Sequence, residues 1–148
     1  MENDLITSLT KAYMGQINSS LKISKLISSH GNEEELSADS LITGLVYRLM
    51  VPMEDKEIKE SMEEAEEIIN DIIDNNGNTD SSEEEIDENY DIQFTKPRKV
   101  KTNQCNCEIC NRARVCLINY HTYEVNDRLA QIFKKSIDEA CTNHKITI

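Results

Sequence analysis

The sequence predicts a mainly α-helical protein in three parts. About three helices form an N-terminal domain over residues 1–74, a disordered acidic-to-basic linker covers 75–104, and residues 105–148 form a zinc-stapled module with a knuckle, short strand(s) and one helix. Three observations lead there. Apolar residues recur every third or fourth position through the first half. The recurrence stops after Asp74, where Asn, Gly, Ser and acidic residues take over. Four of the five cysteines then fall within twelve residues, Cys105 to Cys116.

The helices follow from side-chain spacing and punctuation. Leu5, Leu9, Ala12, Tyr13, Ile17 and Leu21 share one helix face. Gly15, Ser19 and Ser20 weaken that face, so the first helix is expected to be open to interruption there. His30-Gly31-Asn32 is its stop signal, and His30 reads as part of a turn with no further role. Ser37 starts a second helix with Leu41, Ile42, Leu45, Val46, Leu49 and Met50 as its apolar stripe. Pro52 ends it, because proline disfavours helical geometry in Val51 and offers no amide hydrogen. A third helix from about Glu54 to Asp74 carries Ile58, Met62, Ala65, Ile69 and Ile72 in heptad spacing. Two heptads are short for a coiled coil, so this seam is expected to pack on the first two helices.

The net charge of −12 is polarised. Residues 1–95 hold 6 Lys/Arg against 23 Asp/Glu, and residues 96–148 hold 10 against 5. The stretch from Ser81 to Glu88 cannot bury enough apolar surface to order itself. Ser81 and Ser82 each precede an acid by three residues, the pattern an acidophilic kinase reads, which makes them candidate phosphorylation sites. Lys96-Pro97-Arg98-Lys99-Val100-Lys101 then reverses the sign, as a basic arm or as the end of the linker. The opening Met1-Glu2-Asn3-Asp4 has no basic segment, and no apolar run reaches bilayer length. An intracellular protein of cytoplasm or nucleus is expected, with its cysteines reduced. An odd cysteine count in such a compartment favours metal over disulfides.

Cys107-x-x-Cys110 is a metal knuckle: the intervening pair forms a tight turn that brings two thiolates to one ion. A second pair, Cys141-x-x-His144, closes a helix that Asn126 caps, that Asp127 opens, and whose face is Leu129, Ile132, Phe133, Ile137 and Ala140. Residues three apart on a helix end can present both side chains to one ion. The expected site is therefore one structural Zn²⁺ held by Cys107, Cys110, Cys141 and His144, with Cys105, Cys116 and His121 as alternates. Zinc suits mixed thiolate and imidazole ligands in tetrahedral geometry without redox chemistry. Cys105 could replace Cys107, Cys116 reads better as a buried thiol, and His121 reads better as structural. Between the two pairs, Val115 to Tyr123 is rich in β-prone residues and predicts a strand or short hairpin. A module of about forty residues rarely folds alone, and structural zinc contributes roughly 10 kcal/mol or more.

The Cys-rich knuckle, Arg112-x-Arg114, Asn119-Tyr120 and the closing Cys141-x-x-His144 together resemble small zinc-finger-like proteins of large cytoplasmic DNA viruses. The resemblance covers residues 105–144 and implies metal binding without naming an activity. It would place the protein in the host cytoplasm or a virion. The bias to Asn, Ile, Glu and Lys suits such AT-rich genomes, as it does many protists. The chain departs from the two-Cys two-His finger, which has two helical histidines and a shorter span, so base reading by a finger helix does not carry over.

Two uses fit. The first is a non-catalytic zinc-binding protein–protein adaptor, in a viral or nucleic-acid-processing assembly. The second is a nucleic-acid-binding zinc module, with Lys96, Arg98, Lys99, Lys101, Arg112 and Arg114 on phosphates, Lys134 and Lys135 in support, and Tyr120 and Tyr123 for stacking. The adaptor is preferred, because the whole-chain charge opposes a polyanion. Neither a membrane nor a small-molecule substrate is expected. An enzyme is disfavoured: Glu108 and Glu124 are the only acids beside the knuckle, and neither a Walker loop nor the deaminase pattern occurs.

Overall fold

Helix α1 runs without a break from Glu2 to His30. The small residues that seemed to weaken it are where neighbouring helices approach. Gly15 lies against Ser61 of α3 (Asp55–Asn75), and a Cβ on Gly44 of α2 (Ala38–Met50) would sit 1.9 Å from Ser24 Oγ. Ser20 and Ser24 are fully buried there. Their hydroxyls donate to Gln16 O at 2.8 Å and Leu41 O at 3.2 Å, which makes polar side chains acceptable in a close helix crossing. The α1 stop falls where expected: Gly31 N–H donates to Ile27 O, and Asn32 takes the left-handed conformation at φ 56°.

The structure, a computed structural model, describes residues 2–75 and 96–148. The two candidate phosphorylation sites, Ser81 and Ser82, lie outside the described residues. Ser37 caps α2, its hydroxyl accepting from Ser40 N–H, and Val51 closes it before Pro52. Helix α3 packs on α1 through Ser61 and Ala65. Its heptad seam is only partly used: Met62 and Ile69 are half-buried, whereas Ile58 and Ile72 are exposed.

Residues 98–99 form β1, which pairs in parallel with β2 (Ile146–Thr147). The last residues of the expected linker are therefore held in place. Arg98 N–H donates to Lys145 O at 3.0 Å and Val100 N–H to Thr147 O at 2.8 Å. The Asp39 carboxylate fixes the same segment to the start of α2, accepting from the Arg98 guanidinium and from Lys101 N–H. Burial opposes ionisation of Asp39, but these two donors outweigh it and hold its carboxyl below the usual range.

Where a strand or hairpin was expected, the chain forms α4 (Glu108–Asn119) and one 3-10 turn (Tyr120–Thr122). Cys110, Ala113, Cys116 and Tyr120 are the buried positions, a helical spacing that overrides the β propensity of Val115 and Ile118. Helix α5 (Arg128–Asn143) is capped one residue later than expected: Asp127, not Asn126, accepts from Ala130 N–H at 2.7 Å. Phe133, Ile137 and Cys141 form its buried face, while Ala140 is exposed.

The division into an N-terminal domain and a separate C-terminal module is not what the core shows. Ile27, Ile42, Val46, Tyr47 and Leu49 belong to one hydrophobic cluster with Ala113, Cys116, Tyr120, Phe133, Ile137 and Cys141. The physical reason is size: α4 and α5 have too little apolar surface for a core of their own and complete one by docking on α2. Among the described residues no helix is long and apolar enough to cross a membrane.

Candidate metal centre

Four potential ligands converge at the end of α1. His30, Cys105, Cys107 and Cys110 each offer one ligand atom, and all four atoms lie within 4.8 Å of one another. His30 Nδ1 is 3.3 Å from Cys105 Sγ, 3.1 Å from Cys107 Sγ and 3.6 Å from Cys110 Sγ. Zinc bound tetrahedrally, with Zn–S of about 2.3 Å and Zn–N of about 2.0 Å, sets its ligand atoms roughly 3.5–3.8 Å apart. The cluster therefore needs little movement to close on such an ion. His30 comes from the last turn of α1, Cys105 and Cys107 from the approach to α4, and Cys110 from its first turn.

Local hydrogen bonding builds the knuckle. Cys107 is the N-cap of α4, its sulfur accepting from Cys110 N–H at 3.5 Å, and Cys105 Sγ accepts from Cys107 N–H at 3.5 Å. Asn103 ties the loop to α1: its Nδ2 donates to Ile27 O at 3.0 Å and to Cys110 Sγ at 3.4 Å, while its Oδ1 accepts from Cys105 N–H. Arg114, one turn into α4, reaches back and donates to Asn103 O at 2.9 Å and to Cys105 O. These donors orient the ligating residues from behind, the arrangement a metal site requires to hold its geometry.

The same bonds set the thiol chemistry. The Cys110 N–H, at the positive end of α4, brings the Cys107 thiol down to about 6. Burial pushes Cys110 the other way, to about 11. A bound dication would favour the thiolate at both.

Of the ligands expected from sequence, Cys107 and Cys110 are brought together and the alternate Cys105 joins them. Cys141 and His144 do not. Cys141 lies in the core with Phe133 and Ile137, on the α5 face that turns inward, and His144 is exposed as the C-cap of α5. Cys116 is a buried core thiol, and His121 Nε2 lies 2.9 Å from Ile148 O, a structural contact. The candidate ligand that the sequence does not single out is His30, which reads locally as a helix-stop residue. One signal could have found it: Cys105-x-Cys107-x-x-Cys110 supplies three sulfurs to one point and leaves one ligand to come from elsewhere.

The candidate phosphate contacts divide. Lys96, Lys99, Lys101 and Arg112 are exposed, but Arg98 is paired with Asp39 and Arg114 is bound to knuckle carbonyls. Tyr120 is unavailable for stacking, being buried with its hydroxyl donating to Asp138 at 2.6 Å. No family model, curated protein or solved structure matches the chain.

Proposed function

We propose that the protein is a non-catalytic, intracellular zinc-binding adaptor whose one structural Zn²⁺ sits on His30, Cys105, Cys107 and Cys110. The observation that carries this reading is the convergence of those four ligand atoms from two segments far apart in the chain. Three sulfurs and one imidazole are a borderline-soft set suited to zinc, and four protein ligands leave no open position for a substrate. The metal then fastens α1 to α4, and the fastened helices present surfaces to a protein partner.

The alternative of nucleic-acid binding has less support. Two of its six candidate cations hold the protein's own structure, and Tyr120 is packed away. The test is a titration of full-length protein with a labelled duplex and a labelled single strand at several salt concentrations, with metal content measured on the same sample. The adaptor reading expects one zinc per chain and no binding at physiological salt. Binding that weakens steeply with salt and with Lys99→Ala and Lys101→Ala would favour the nucleic-acid reading instead.

A further inference from the structure

Arg48 carries a charge that the fold does not fully satisfy. It sits in the last turn of α2 and is only 5% exposed. Its Nη1 donates to Val51 O and to Glu57 Oε2, both at 3.3 Å, long for bonds from a guanidinium. Its Nε donates to nothing, and among the described residues it is the one buried side-chain nitrogen or oxygen without a partner. A buried charged donor left unpaired is costly, so native folds seldom keep one without a use. The Tyr47 ring, its centroid 5.6 Å from the guanidinium carbon, steadies the charge but leaves that N–H unbonded.

Arg48 also lines an open pocket of about 300 Å³ between α2 and the start of α5. The walls are apolar. Leu49 and Phe133 are core residues, and Met53, Val125 and Leu129 are half-buried around them. One side is the segment 124–126, which joins the 3-10 turn to α5. Glu124, Val125 and Asn126 make no backbone–backbone hydrogen bond among the described residues, and Tyr123 and Asp127 at its ends are extended. The other charged groups bordering the pocket are Glu124 and Asp127, both exposed acids, and Asp127 is held by Ala130 N–H.

We propose that this pocket binds a carboxylate attached to an apolar group, the carboxylate on the Arg48 guanidinium and the apolar group against Leu49, Val125 and Phe133. A carboxylate carries a single charge and accepts parallel N–H bonds from a guanidinium, so it supplies the partner that Nε lacks. A phosphate fits less well, because its second charge meets Glu57, Glu124 and Asp127. Two sources share the carboxylate chemistry. One is the C-terminal end of a peptide, whose last amide also finds the unpaired backbone of 124–126. The other is a free branched acid. The pocket shares no residue with the metal cluster, so the inference stands apart from the zinc reading.

NMR titration of the full chain decides it, following the Arg48 Nε–H signal and the amides of Val125 and Leu129. The probes are N-acetyl-leucine, its uncharged amide, and isocaproate. N-acetyl-leucine is expected to shift all three signals saturably, and its amide to bind roughly 10-fold or more weakly. Isocaproate keeps the carboxylate and the branched chain but has no amide group. Weaker binding than N-acetyl-leucine assigns the pocket to peptide ends, and equal binding assigns it to a free acid. Arg48→Met is expected to abolish binding of both acids. Should that variant fail to fold, Glu57→Gln gives a second reading at an exposed position. Removing the competing carboxylate is expected to tighten N-acetyl-leucine roughly 2–5-fold. The proposal is overturned if neither acid gives saturable shifts, if the amide binds as well as the acid, or if Glu57→Gln leaves the affinity unchanged.

Discussion

His30 Nδ1 lies 3.1 Å from Cys107 Sγ across 77 residues of sequence. That contact makes the end of α1 and the start of α4 one structural unit. Asn103 reinforces it by bonding both Ile27 O and Cys110 Sγ. Removal of the metal is therefore expected to loosen both sides. Hydrogen exchange with and without chelator should show lost protection at Gly31, whose N–H bonds Ile27 O, and at Cys110 and Asn111. Loosening confined to the cysteine segment, with the α1 end unchanged, would contradict the link.

Cys141 and Cys116 are core residues, 6% exposed each. Cys141→Ser and Cys116→Ser are expected to lower unfolding free energy by about 1–3 kcal/mol, because each buries a hydroxyl where a thiol packed as a small hydrophobe. Zinc content should not change in either. Urea unfolding and metal analysis on the same preparations check both statements.

The α1–α2 crossing depends on a missing Cβ at Gly44. An added methyl would meet Ser24 Oγ at 1.9 Å and the backbone of Ser20 and Ser24 at 2.7 Å. Since backbone cannot turn aside, Gly44→Ala should force the helices apart and cost about 1–3 kcal/mol or more, despite alanine's better helix propensity. At Gly15 the nearest atom would be Ser61 O at 3.3 Å, so Gly15→Ala should cost less. Thermal melts of the two variants give the comparison.

In metal-free protein Cys107 should be the first thiol to react with an alkylating reagent at neutral pH. The Cys110 N–H lowers it to about 6, so it is largely thiolate above that pH. Burial raises Cys110, Cys116 and Cys141, which hold their protons at the same pH. Timed alkylation read by peptide mass spectrometry should show the Cys107 rate rising through about pH 6. Zinc should suppress it. Equal rates at all five cysteines would remove the proposed role of the α4 N-terminus.

The sequence was legible wherever the signal was local. Ser37 and Pro52 bracket α2 because capping and proline sterics act within a few residues. The helical character of α1, α3 and α5 follows from side-chain spacing in the same way. Helix α4 was missed because Val115, Ile118 and Tyr123 favour strands locally, while the period of Cys110, Ala113, Cys116 and Tyr120 matters only once a core exists to receive it. Cys110 is both a candidate ligand and a buried side chain, and the knuckle spacing signals only the first. His30 was illegible for a similar reason. Nothing near it in sequence marks a metal site, and its three sulfurs arrive from residues 105–110 only when Asp39 anchors β1 and Asn103 docks on Ile27. The shared core was hidden by the charge contrast, which reports on surfaces and not on which apolar faces meet.

Both ligand sets, the one expected from sequence and the one seen in the structure, contain three sulfurs and one imidazole. X-ray absorption at the zinc edge on single variants separates them. The wild type should show three sulfurs at about 2.3 Å and one nitrogen at about 2.0 Å. His30→Ala should lose the nitrogen shell or the metal altogether, and His144→Ala should leave the spectrum unchanged. An unchanged spectrum in His30→Ala, with the nitrogen lost in His144→Ala, would contradict the metal centre at its root.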